Sequence, residues 1–341
     1  MPITLQKSNQ LKSIAILMML FLHLFNRDFT GVFRPMLFVG KQPISYYLSL
    51  FCDACVPIFA FVSGYGLYFK YIQNKKEYQD DNYKRLKKLY INYWIILIVF
   101  AVLLGLILNK DGYPGSISKF FLNFIAINPS YNGAWWFFTT YVLFVMTSSF
   151  WFRIFERSNP IFLFMFLFLG YLIAFYFRIY KTDVFTNAVL SWFHRQTALY
   201  FCTLFQFMMG AFALKYQWNK VIKEIFNLVK FKNVLALILI VGLIVFHGLV
   251  PNFVVAPFTG LAFIFLFLQI KLPDFVTRFL DYFAPHATNI WLVHMFFYMI
   301  FFPGIVYGFK YVPVIFLALV MMCLASSYVI NFIKEKIQRI I

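Results

Sequence analysis

The sequence predicts an all-α, polytopic integral membrane protein of about ten transmembrane helices, with the N- and C-termini both cytoplasmic. Three observations carry that prediction. Hydrophobic residues fill 62% of the 341 positions and charged residues only 12%, far from the usage of a water-soluble domain. Windows of roughly 20 apolar residues, the length that crosses a hydrocarbon core, recur along the whole chain. The 30 Lys and Arg between those windows fall unevenly on alternate sides, as the positive-inside rule requires of a multi-span protein.

The windows run near residues 8–26, 46–69, 89–108, 135–154, 160–179, 197–216, 233–250, 252–270, 288–308 and 312–333. Ser8 is a candidate N-cap for the first helix, with Lys12 snorkelling towards the surface. No small-residue cleavage site follows this first run, so it reads as a retained span rather than a signal peptide. Pro57, Ser63, Gly64 and Gly66 in the second window permit a kink or a close helix contact. Residues 116–128, SISKFFLNFIAIN, are too short to span and are expected to lie along the interface or re-enter. With the N-terminus inside, cytoplasmic segments carry 21 Lys and Arg and the opposite side 9, which sets the orientation. The outer loop 27–45, with three basic residues, fits it least well. No repeat period of 20–50 residues appears, and residues 1–341 read as a single membrane domain with no appended soluble domain.

Composition also excludes. A net charge of +18 suits nucleic acid, but the cations are scattered between apolar windows and no basic soluble module exists to carry that role. Cys52 and Cys55 have the spacing of a redox or zinc pair, yet they sit in an apolar run without a second thiol pair. They read as packing residues, and no metal is expected.

The chemistry-bearing residues begin with Lys12 and His23, the two ionisable side chains of LKSIAILMMLFLHLF. Eleven residues turn a helix through about 1100° and rise about 16 Å, so the two share one face three turns apart. An ionisable group at membrane depth is costly and usually functional, although a lone His also serves helix packing through a hydrogen bond. Together the pair offers a cation for an anionic head group and, deeper, a base. Acyl-coenzyme A has the matching shape, with phosphates at one end and a thioester at the other. In acyl transfer a His within reach of an acceptor hydroxyl removes its proton as the oxygen attacks the thioester carbonyl.

A second cluster is YKRLKKLYINYW, residues 83–94, where Arg85 and Lys88 share a helical face. It reads either as a positive-inside anchor or as a grip for phosphates. Asp53 is the one carboxylate inside an apolar window and is a functional candidate by position. Trp135 and Trp136 read most simply as an interfacial belt. His294, in NIWLVHMFF, is open to a packing hydrogen bond or a site role. His194 and Arg195 suit either acceptor contact or loop solvation, and His247 and His286 read as structural.

These residues, in this order, resemble the membrane-bound acyltransferase family 3, the group that includes bacterial O-acetyltransferases of surface glycans. The family's Arg or Lys, ten residues, then His of helix one is matched by Lys12 and His23. Its basic R-x-x-R looks like Arg85-Leu86-Lys87-Lys88, with Lys in place of the second Arg. IFAFVSGY is similar to its FFxxSG element, WWFF to its aromatic WFL element, and WLVH, ending in His294, to its YLxH element. The resemblance extends from residue 12 to about 294. It implies transfer of an acetyl group from cytoplasmic acetyl-coenzyme A to a hydroxyl of a cell-envelope glycan or its lipid-linked precursor, in the bacterial inner membrane. Under it His23 is the catalytic residue, Lys12, Arg85 and Lys88 hold the coenzyme, and His294, Asp53, Tyr65 and Trp136 support the site or line it. Partners are then acetyl-coenzyme A, a glycan acceptor and the lipid bilayer. Two other classes stay open on the residues alone: a glycan polymerase or flippase for lipid-linked sugars, and a secondary transporter, for which the paired broken halves are not visible.

Overall fold

In hydrocarbon every backbone N–H and C=O must be satisfied within the chain, so apolar windows fold as helices, and here the helices outrun the windows. The computed structural model describes residues 3–338. In chain order the helices are α1 (Leu5–Phe25), α2 (Ile44–Gln73), α3 (Tyr78–Ile107), α4 (Ile117–Phe124), α5 (Gly133–Arg157), α6 (Pro160–Ile179) and α7 (Ala188–Lys215). They continue with α8 (Trp218–Asn227), α9 (Lys232–Leu249), α10 (Phe253–Gln269), α11 (Asp274–Phe283), α12 (Ala287–Met295), α13 (Pro303–Gly308) and α14 (Val312–Gln338). A small hairpin pairs Phe38–Val39 with Gln42–Pro43 in the α1–α2 connection. Among the described residues eight helices are long and apolar enough to cross a membrane: α1, α2, α3, α5, α6, α7, α9 and α14. The chain is a multi-pass membrane protein.

Several boundaries differ from the sequence reading, each for a local reason. The cap of α1 is Thr4, whose hydroxyl accepts from the Lys7 N–H at 3.2 Å, so Ser8 lies inside the helix. The polar stretch before residue 89 holds no Gly or Pro, and α3 therefore starts at Tyr78, which places Arg85 and Lys88 on the helix itself. Asn187 caps α7 through the N–H groups of Val189 and Leu190, drawing His194 and Arg195 into the helix. The ninth expected span is broken. After α12 the backbone widens into a π-helical turn, Phe296–Phe301, then breaks at Phe302 before Pro303 starts α13.

Residues 109–132 fold back against the bundle. Trp94 lies thirteen residues, about 20 Å, before the end of α3, and its indole N–H donates to the Phe124 carbonyl at 2.8 Å. Tyr93 Oη donates to the Asn123 carbonyl at 2.7 Å. The returning chain then meets α12: Asn132 Nδ2 and Trp135 Nε1 both donate to the Leu292 carbonyl, at 3.0 and 2.9 Å. Trp135 is therefore a fully buried anchor and not the interfacial belt its sequence context suggests.

The tightest packing is between α2 and α7. A Cβ added to Gly64 would lie 1.7 Å from the Phe207 carbonyl oxygen, and one added to Gly210 would lie 2.2 Å from that of Phe61. Small residues let helix backbones approach this closely, which is how helices associate where the solvent is itself apolar.

Candidate active site

Helices α1, α2, α3, α5, α6, α10, α12 and α14 all contribute to the wall of a cavity of about 1190 Å³. The face of α1 predicted from helical geometry turns towards it, and both Lys12 and His23 are on its wall. Arg85 and Lys88 reach the same wall from α3, and the C-terminal helix adds Lys334. The charges of Lys12 and Arg85 are close enough to interact, as are those of Lys88 and Lys334. Within this site Lys12 points into the cavity, not out to the surface.

His23 lies in the last turn of α1. Its Nδ1 is 3.2 Å from Tyr298 Oη, which leaves Nε2 as the ring nitrogen available to the cavity. Arg27, one turn further on, donates through Nη2 to the His23 carbonyl at 3.0 Å. The guanidinium also lies over the rings of Tyr298 and Tyr307, at 5.3 and 5.4 Å. Arg27 was legible only as a loop cation, and its role in closing this end of α1 depends on tyrosines some 270 to 280 residues away.

His294 is fully buried behind His23, with ring centroids 4.9 Å apart. Its Nδ1 donates to the Trp291 carbonyl at 2.7 Å and its Nε2 has no partner. Both His294 and Tyr298 address His23 because they sit four residues apart, about one turn, across the junction of α12 with its π-helical extension.

Tyr65 lies at the cavity wall, where its hydroxyl accepts from the Ile3 N–H at 2.8 Å and ties the start of the described chain to α2. An amide ladder crosses three helices beside the cations. Asn92 Nδ2 donates to Asn289 Oδ1 at 2.7 Å, and Asn289 Nδ2 donates to Asn331 Oδ1 at 2.9 Å. Asn92 Oδ1 is left without a partner. The one sequence signal for this ladder was helical phase, since Arg85, Lys88 and Asn92 stand at i, i+3 and i+7.

Asp53 and Trp136 reach the cavity away from the Lys12 end, together with Arg178 and Phe253, which sequence reasoning left unassigned. His247 is buried behind Asp53, with Nε2 4.0 Å from the carboxylate and Nδ1 3.4 Å from Thr259 Oγ1. His286 binds Ser327 Oγ at 2.8 Å, and His194 packs edge-on to Phe177 and Phe185. Cys52 and Cys55 are free buried thiols, and no cluster of three or more potential metal ligands occurs among the described residues.

A family model described as an acyltransferase domain, that of acyltransferase family 3, matches residues 6–331. The chain belongs to that family. No curated protein and no solved structure gives a significant match. The match takes in every helix that lines the cavity but for the ends of α1 and α14, so the geometry above is that of a membrane acyltransferase. In this acyltransferase the cavity brings together a cluster of cations, a row of amides and an imidazole from several helices.

Proposed function

We propose that this acyltransferase moves an acetyl group from cytoplasmic acetyl-coenzyme A to a hydroxyl of a cell-envelope or exported glycan, or of its lipid-linked precursor, in the bacterial inner membrane. The observation that carries the reading is that Lys12, Arg85, Lys88 and Lys334 share one cavity with His23, about 16 Å beyond Lys12 along α1. Cations of this kind hold phosphates, Arg85 through its planar fork and the lysines as point charges. With both termini cytoplasmic, the phosphate end faces the cytosol and the pantetheine arm runs along α1. Asn92 and Asn289, both on the cavity wall, supply amide partners for that arm.

At His23 the neutral tautomer with the proton on Nδ1 donates to Tyr298 Oη and leaves the Nε2 lone pair towards the cavity. Nε2 takes the proton of the acceptor hydroxyl as its oxygen attacks the thioester carbonyl. The new C–O bond forms, the C–S bond breaks, and the proton passes from the imidazolium to the departing thiolate.

The test is release of free coenzyme A from acetyl-coenzyme A by the purified protein in the presence of glycan extracted from its own membranes, with labelled acetyl followed into that glycan. Wild type is expected to turn over, His23→Ala to be inactive and Lys12→Ala to need more coenzyme. Normal turnover by a folded His23→Ala protein would overturn the catalytic assignment.

A further inference from the structure

The cavity has a second cationic end that the coenzyme does not use. Arg178, in the last turn of α6, holds its guanidinium between the rings of Trp136 and Phe253, at 4.7 and 4.8 Å. All three residues are on the cavity wall. Aromatic rings on both faces restrict a guanidinium to partners in its own plane. One in-plane contact is a weak one, Nη1 to Cys202 Sγ at 3.6 Å. No carboxylate lies within 4.0 Å of Arg178 among the described residues, and none of the Arg178 guanidinium nitrogens is both buried and unpartnered. The remaining donors therefore meet the cavity. Asp53 lines the same region and is its sole carboxylate among the described residues.

The position of this end follows from contacts. Trp136 stands two residues after Ala134, whose N–H contacts Met295 Sδ at 3.0 Å, next to His294 and hence His23. Arg178 thus lies on the His23 side of the cavity, away from Lys12, which stands three turns earlier on α1. We infer that Arg178, held flat by Trp136 and Phe253, is the anion-recognition residue of the acceptor subsite, and that the acceptor is a sugar carrying a carboxylate or phosphate. The fork pairs with that anion in a bidentate geometry, and Asp53 accepts a hydroxyl of the same sugar, orienting it towards His23. Its assignment to the acceptor rests on the acyl-transfer reading; the anion-binding claim does not.

The experiment measures binding of glucose, glucuronate and glucose 1-phosphate to the full-length protein in lipid nanodiscs by saturation-transfer NMR, with coenzyme A binding followed calorimetrically. Wild type is expected to bind at least one charged sugar about tenfold or more tighter than glucose, the scale of a charge-assisted hydrogen bond. Preference for glucuronate assigns a ring carboxylate, and preference for glucose 1-phosphate assigns a phosphate-linked sugar. Arg178→Gln is expected to abolish the preference, while Arg178→Lys keeps part of it, and coenzyme A binding is unchanged in both. No preference in the wild type, or an undiminished preference in a folded Arg178→Gln protein, overturns the inference. Charge-selective sugar binding without thioester turnover would sink the donor reading, and the acceptor assignment with it, and leave the anion-binding claim standing.

Discussion

The imidazole of His294 stands edge-on to that of His23, centroids 4.9 Å apart and planes at 80°. His294 is itself locked by its bond to the Trp291 carbonyl, so it is a fixed wall against which the cavity-facing ring rests. Removing the base is expected to cost about 10²- to 10⁴-fold in turnover, the usual worth of general-base catalysis. His23→Gln should therefore lose that factor in kcat with coenzyme affinity retained. His294→Phe should keep more activity than His294→Ala, because the ring acts by packing. Steady-state coenzyme A release checks both.

Tyr298 is the hydrogen-bond partner of His23 Nδ1, at 3.2 Å. Tyr298→Phe keeps the ring beneath Arg27 and deletes that partner. We expect about a tenfold fall in kcat, the scale of one hydrogen bond, with little change in KM. A base must be neutral to accept a proton, so kcat/KM should rise with pH to a plateau in both proteins, with the midpoint displaced in the variant. An identical pH profile would count against the role of Tyr298.

The cationic end should act on binding and not on the chemical step. Lys12→Ala, Arg85→Ala, Lys88→Ala and Lys334→Ala are each expected to raise the coenzyme Kd by about tenfold, with kcat at saturation largely kept. Titration calorimetry at two salt concentrations reads the effect. The wild-type affinity should fall with salt more steeply than that of any variant.

Much of this was legible in the sequence, for definite reasons. Helical phase is a local property, so Lys12 and His23, or Arg85 and Lys88, could be placed on shared faces from spacing alone. The apolar windows located the long helices for the same reason. What sequence could not supply was which distant helix each face meets. Arg27 under Tyr298 and Tyr307, Arg178 between Trp136 and Phe253, and the Asn92–Asn289–Asn331 ladder are all encounters between elements far apart in the chain. Trp135 was misread because an aromatic pair opening an apolar run looks the same whether it meets a membrane interface or a folded-back segment.

The α2–α7 crossing gives a stability test independent of activity. Gly64→Ala and Gly210→Ala each put a methyl group into a facing backbone, where overpacking costs about 1–3 kcal/mol or more. Gly242→Ala, at a position with nothing within 4 Å, is the control. Thermal unfolding in detergent should drop clearly for the first two and stay level for the third.

Among the described residues six cations, Lys12, Lys70, Arg85, Lys88, Arg178 and Lys334, line the cavity against the single carboxylate of Asp53. Such a lining makes the interior a well for anions and a barrier for small cations. A membrane protein with a cavity of about 1190 Å³ among its helices risks becoming a leak for protons and sodium. The same charges that would seat the reactants would also oppose the passage of cations, so neutralising several of them together should make the bilayer more permeable to cations as well as weaken binding.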